Sequence, residues 1–264
     1  MKKILMWVVA LMALGSVNAS GQEVTIEAKA KVTEEVRVIQ TYPFSNPNPV
    51  PMLTEDSRLY PYHRFEGYAH ESQRKEWKVV KLENEWIELW ILPEVGGKIW
   101  GARVKKTGNE FIYRNEVMKF RNIALRGPWT SGGIEFNFGV IGHAPSTASP
   151  VDYITRENDD GSVSVIVGAM DLPSRTHWRV EVRLPSDRAY FETRVLWRNP
   201  TTQEQAYYNW MTAAAFAQDD LVMTIPGNAY LGHPGERYDW PIDDQGRLLS
   251  SYRENAFGGN KSFH

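Results

Sequence analysis

From Trp77 onward, turn residues cut the chain into strand-length segments, about one every ten residues, with no long amphipathic helical pattern between them. "WKVVKL" and "WIELWIL" flank Glu83-Asn84-Glu85 and read as a hairpin. Pro93-Glu94-Val95-Gly96-Gly97 turns the chain into "KIWGARV", and Lys106-Thr107-Gly108-Asn109 turns it again into "EFIYR". "VDYITRE" and "SVSVIVGAM" are joined by Asn158-Asp159-Asp160-Gly161, a strong hairpin turn. "THWRVEVRL", "AYFETRVLW" and "QAYYNWMTAAAFA" follow. Segments this short and this regular predict an all-β protein, an antiparallel sandwich or barrel. No internal repeat is visible.

The chain before Trp77 is organised differently. Lys2 and Lys3, the apolar run Ile4 to Leu14 and the small residues around Val17-Asn18-Ala19 form a secretory signal peptide, cleaved after Ala19. That run is shorter than the ~20 residues of a membrane-spanning helix, so no membrane span is expected. With no Cys in 264 residues, disulfides, thiolate metal sites and a lipid on an N-terminal Cys are all excluded. Export without cysteines fits a periplasmic or surface-released protein. Residues 24 to 40 alternate loosely and read as one or two strands. "TYPFSNPNPVP", 41 to 51, is a loop because its prolines remove donors and fix φ. The expected organisation is a signal peptide over 1–19, N-terminal strands with a Pro- and aromatic-rich lead-in over 20–74, and the β-domain over 75–264.

Charge excludes one class of partner. With 30 basic and 32 acidic residues the net charge is −2, without the clustered cations that phosphate neutralisation needs, so nucleic acid is not a partner. No phosphate loop, dinucleotide fingerprint, zincin helix or nucleophile elbow is present, and no cofactor is expected. The six His show no metal-ligand spacing, so no metal is expected either. Of the acidic pairs that could attract calcium, Asp159-Asp160 is explained by its turn.

"GPWTSGGIEFNFGVIGH", residues 127 to 143, is covered least well by a structural explanation. Period-two alternation sends Ile134, Phe136 and Phe138 to one face of a strand and Glu135 and Asn137 to the other. The apolar face is a core face. The polar face looks either at water, the ordinary case for such a strand, or at a ligand. Arg126, Trp129 and His143 lie close by in sequence. A second set, Arg175, His177 and Trp178, opens a later strand, and Asn209 and Trp210 stand in a third. Carboxylates and amides pair with sugar hydroxyls while an indole covers the apolar side of the ring, so the mixture predicts a saccharide ligand. Glu135 and His143 are the candidate catalytic residues and the others candidate binding residues. The flanking pairs Gly132-Gly133 and Gly139 with Gly142 would let backbone approach the ligand. Glycosidic-bond chemistry would need a second carboxylate, for which Asp171, Asp219 and Glu236 are candidates.

"ILPEVGGKIWGARVKKTGNEFIYRN" resembles the opening of galactose-mutarotase-like domains. "GPWTSGGIEFNFGVIGHAPSTASPVDY" and "LWRNPTTQEQAYYNWMTAAAFA" resemble an uncharacterised secreted bacterial domain of that superfamily, found ahead of tetratricopeptide repeats. The likeness covers roughly residues 75 to 264. It implies a large antiparallel β-supersandwich whose concave face binds carbohydrate, a sandwich incomplete at its C-terminus here, and protein partners reached through repeats beyond the chain. Mutarotases carry a catalytic Asn-His pair where this chain reads Asn209-Trp210, and a late catalytic Glu that would fall beyond His264. Four functions therefore remain in view: an enzyme acting on glycosidic bonds, a non-catalytic carbohydrate-binding module, an aldose 1-epimerase, and a structural domain supporting a repeat array.

Overall fold

The computed structural model describes residues 29–45, 69–122, 128–139, 143–232 and 235–255; the segment read as a signal peptide, residues 1–19, lies outside them. β1 (Lys31–Tyr42), β2 (Gln73–Glu83), β3 (Ile87–Leu92) and β4 (Lys98–Val104) are successive antiparallel neighbours. β5 (Glu110–Ile112) pairs with β4, and β6 (Val117–Lys119) returns to run parallel to β1. A short hairpin, β7 (Arg121–Asn122) with β8 (Pro128–Trp129), leads into β9 (Ile134–Phe138). β10 (Asp152–Glu157), β11 (Val163–Met170), β12 (His177–Leu184) and β13 (Glu192–Arg198) form a four-stranded antiparallel meander. β14 (Asn209–Ala213) crosses back to pair with β9, and β15 (Ala229–Leu231) pairs with β16 (Arg237–Asp239). The larger sheet thus has eight strands in the order β14-β9-β4-β3-β2-β1-β6, with β5 beside β4. The segment ahead of residue 75 contributes a full strand: β1 pairs with β2 along its length.

The two sheets form a β-sandwich because alternation gives each an apolar face to bury. Leu82, Leu89, Ile91, Ile99, Phe136 and Phe138 of the larger sheet meet Val165, Val167, Trp178, Val180 and Val182 of the smaller one. Phe138 and Trp178 stack across the interface, ring centroids 5.0 Å apart and planes 13° from parallel. Trp178, expected among the sugar-binding residues, is therefore a core side chain, 2 % exposed.

The larger sheet is also covered on its outer face. Trp77, Val79, Trp90, Leu92, Trp100, Met118 and Phe120 form a second apolar cluster there. All six positions of β3 are buried, which is why "WIELWIL" reads as a nearly continuous apolar run. Trp77 donates its Nε1–H to Thr41 Oγ1 at 2.9 Å. The guanidinium groups of Arg37, Arg103 and Arg114 lie 4.7, 5.4 and 5.3 Å from the Trp90 ring centroid. Each is also paired with a carboxylate, from Glu35, Glu88 and Glu110 respectively. Much of the chain's tryptophan is core.

Candidate functional site

β9 divides its side chains as alternation requires: Phe136 and Phe138 enter the core, while Glu135 and Asn137 point to the outer face of the larger sheet. That face is not wet here. Glu135 is 3 % exposed and Asn137 fully buried, because the chain after β9 returns over them. His143 takes a left-handed backbone conformation, φ +48°, at the point of return. Its Nδ1 lies 2.8 Å from Glu135 Oε1. Asn137 donates Nδ2–H to the same oxygen at 2.7 Å, and its Oδ1 accepts the Ala144 backbone N–H at 2.7 Å. A 3-10 turn over Pro145–Ala148 continues the covering segment.

Two indoles stand at the His143 ring, both edge-on: Trp210 at 4.6 Å and Trp129 at 5.2 Å between centroids. Trp210 is there because β14 runs antiparallel to β9 with Trp210 opposite Asn137 and Thr212 opposite Glu135, on one face. Its neighbour Asn209 is opposite Phe138 and so lies on the other face. Asn209 and Trp210 thus face opposite sides of the sheet, and of the two only Trp210 stands at the Glu135 cluster. Arg126 lies outside the described residues.

Lys98 completes the group. Its ammonium is 1 % exposed and donates to the Thr130 carbonyl at 2.8 Å. Burial pushes its pKa down to about 8, with the nearby Glu135 carboxylate opposing that shift. Sequence reasoning missed Lys98, although a signal existed. It opens a strand, "KIW", with apolar residues on both faces, so a charge at that position has no wet side to reach.

Arg175 and His177 are elsewhere. Since Trp178 enters the core, His177 projects from the outer face of the smaller sheet, and Arg175 is exposed in the turn before β12. The sandwich separates them from Glu135. The three candidates for a second carboxylate do not join the cluster either. Asp171 accepts the Ser174 backbone N–H and hydroxyl, Asp219 is exposed 3.7 Å from Arg253, and Glu236 is exposed beside β16. The Gly132-Gly133 pair also has a different role. A Cβ on Gly133, φ +73°, would stand 2.2 Å from the Ile99 carbonyl oxygen, so it is a neighbouring strand and not a ligand that comes close.

Hydrogen-bonding capacity remains unused in the cluster. Trp129 Nε1 and Thr130 Oγ1 are buried without a partner. Glu135 Oε2 and His143 Nε2 have none among the described residues, and Lys98 uses one of its three N–H groups. At the 2.8 Å contact the Glu135 carboxylate is the acceptor and a His143 Nδ1–H the donor. Such a set can bind hydroxyl-rich groups and relay a proton to one of them.

The model of the family described as "Domain of unknown function (DUF5107)" matches residues 54–264, and the chain belongs to that family. Among solved structures it is similar to a TPR-domain containing protein from Parabacteroides distasonis, with 26% sequence identity and a TM-score of 0.73 over 83% of this chain. The chain spans 38% of the length of that protein.

Proposed function

We propose that this domain is an exported saccharide-binding domain whose site lies on the outer face of β9 and β14. The observation behind this reading is a set of polar groups with unused capacity, held between two indoles. Glu135 Oε2 and His143 Nε2 are the atoms available to sugar hydroxyls, and the Trp129 and Trp210 faces cover apolar ring carbons. Asn137 and Ala144 hold Glu135 in place. The resemblance to galactose-mutarotase-like domains agrees with this placement. The signal-peptide pattern at Lys2 to Ala19 supports export. The similar solved protein carries a TPR domain, which supports a role beside helical repeats that recruit protein partners.

The test is glycan-array binding followed by calorimetry with wild type, Glu135→Gln and Trp129→Ala. Glu135→Gln keeps shape and removes charge, and is expected to weaken binding by about 1.5–3 kcal/mol, the range for a charge-assisted hydrogen bond. Trp129→Ala should weaken it through lost stacking. Unchanged binding in both variants overturns the reading.

A second reading, proton-transfer chemistry on the bound sugar, has the 2.8 Å Glu135–His143 contact in its favour. It predicts that Glu135→Gln retains affinity while hydrolysis or anomer exchange, followed by reducing-sugar release and polarimetry, is lost. Among the described residues no second carboxylate joins the cluster, so binding is the better supported of the two.

A further inference from the structure

The outer face of the four-stranded sheet, on the far side of the sandwich from Glu135, carries cations and aliphatic side chains that the saccharide site does not use. Register places them together. Met170 is opposite His177, which is opposite Arg198; Gly168 is opposite Arg179, which is opposite Leu196; Ile154 is opposite Ile166. Gly168 has no side chain on this face, and the Arg179 stem lies across it, its Cγ 2.9 Å from where a Cβ would stand. Beside it a hollow of about 430 Å³ is lined by Ile154, Ile166, Met170 and Leu196, with Asp152 and His177 also in its wall. Ile154 is 56 % exposed and Leu196 48 %.

The charge here departs from that of the whole chain, which is −2. Arg156, Arg179, Arg194 and Arg198 share this face, and none is paired with a carboxylate among the described residues. Arg175, exposed in the adjacent turn, adds a fifth such cation. The face also carries three acids: Glu181, opposite Arg194, accepts the Ser164 hydroxyl, Glu192 pairs with Arg183, and Asp152 stands opposite Gly168; the arginines remain in excess. Charges alternate along β12 and β13, but arginines outnumber carboxylates and the aliphatics among them are exposed together.

We propose that this face docks an acidic amphipathic segment of another polypeptide, its apolar side chains entering the hollow between Ile154, Met170 and Leu196 and its carboxylates meeting the arginines. The occupant follows from both halves of the surface. Unpaired guanidinium groups select carboxylates, which they bind in a bidentate fork. A polyanionic polysaccharide or an anionic membrane would use the cations but has no need of the exposed aliphatics beside them, whereas an amphipathic helix uses both.

The probe is a synthetic amphipathic helical peptide with one leucine stripe flanked by glutamates. Its controls are the same peptide with lysines for glutamates, a sulfated polysaccharide, and anionic phospholipid vesicles. The glutamate-flanked peptide is expected to bind saturably and to be released by salt. The doubly substituted Arg179→Glu, Arg198→Glu chain should bind it at least about tenfold more weakly. Leu196→Ser, which leaves every charge in place, should also weaken it. Circular dichroism, which reports the whole fold, and saccharide binding, which is read on the other side of the sandwich, should be unchanged in these variants. Equal binding of the two peptides, indifference to the charge reversal, or arginine-dependent binding of polysaccharide or vesicles but not of the acidic peptide would each overturn the proposal.

Discussion

At the scale of single residues, Lys98 offers the sharpest test of the site's electrostatics. Its pKa stands near 8 in the native protein because burial disfavours the ammonium, against about 10.5 when the chain is unfolded. Below pH 8 both states hold the proton and the cost of burying the charge is constant. Between the two values the unfolded chain still binds a proton that the native protein has released, so stability rises with pH through that window. The difference in unfolding free energy between wild type and Lys98→Met, followed by denaturant titration, should therefore grow in favour of wild type from pH 8 to 10.5. It should approach about 3 kcal/mol, the free energy that links a pKa near 8 to one near 10.5. A flat difference would mean that Lys98 is hydrated. Glu135 shows what residue patterns can and cannot convey: its face follows from alternation with Phe136. Its burial depends on His143 and Ala144 returning over it.

At the scale of elements, β9 is held against β4 by a backbone approach that only glycine permits. A Cβ on Gly133 would meet the Ile99 carbonyl at 2.2 Å, whereas Gly108, also at positive φ, has nothing within 4 Å. Replacing either by Ala strains the left-handed backbone by about 1–2 kcal/mol. Gly133→Ala must in addition move a strand of the site. Thermal unfolding should show Gly133→Ala losing clearly more stability than Gly108→Ala, and saccharide binding should fall only in the former. Equal losses would show that the approach to β4 can relax. Hairpins were the most legible elements: β2–β3 and β10–β11 have their turns where Glu83-Asn84-Glu85 and Asn158 to Gly161 place them. The β14 segment was less so. Only Asn209–Ala213 of "QAYYNWMTAAAFA" is a strand, because pairing with the short β9 limits its length.

At the scale of the whole molecule, the sandwich is one core shared by two sheets, and the Phe138–Trp178 stack is where they meet. Phe138→Ala and Trp178→Ala should each cost about 3–5 kcal/mol through lost burial and the cavity left behind. Together they should cost about 0.5–1.5 kcal/mol less than the sum, because each variant already removes the stacking partner of the other. Additive losses in a chemical-denaturation cycle would mean that the rings contribute as separate hydrophobes. The arginine face and the proposed saccharide site lie on opposite outer surfaces of this sandwich. Saccharide affinity should therefore be unaffected by the Arg179→Glu, Arg198→Glu pair.

The sequence by itself determined the fold class, the turns, and which side chains share a strand face. These depend on local chemistry: glycine and asparagine at turns, and a period of two along an extended backbone. It also placed Glu135, Asn137, Trp129 and His143 within reach of one another, since a single strand and its flanks carry them. Tertiary structure alone decided the rest. That Trp178 is core while its neighbour His177 is exposed depends on which face of β12 the larger sheet covers. That Trp210 joins the site while Asn209 does not depends on the register of β14 against β9. That Lys98 stands beside Glu135 depends on strands far apart in the chain becoming neighbours in a sheet. Local pattern gives each strand two faces; only the packing of sheets, which burial of apolar area across the whole chain decides, selects the one that turns inward.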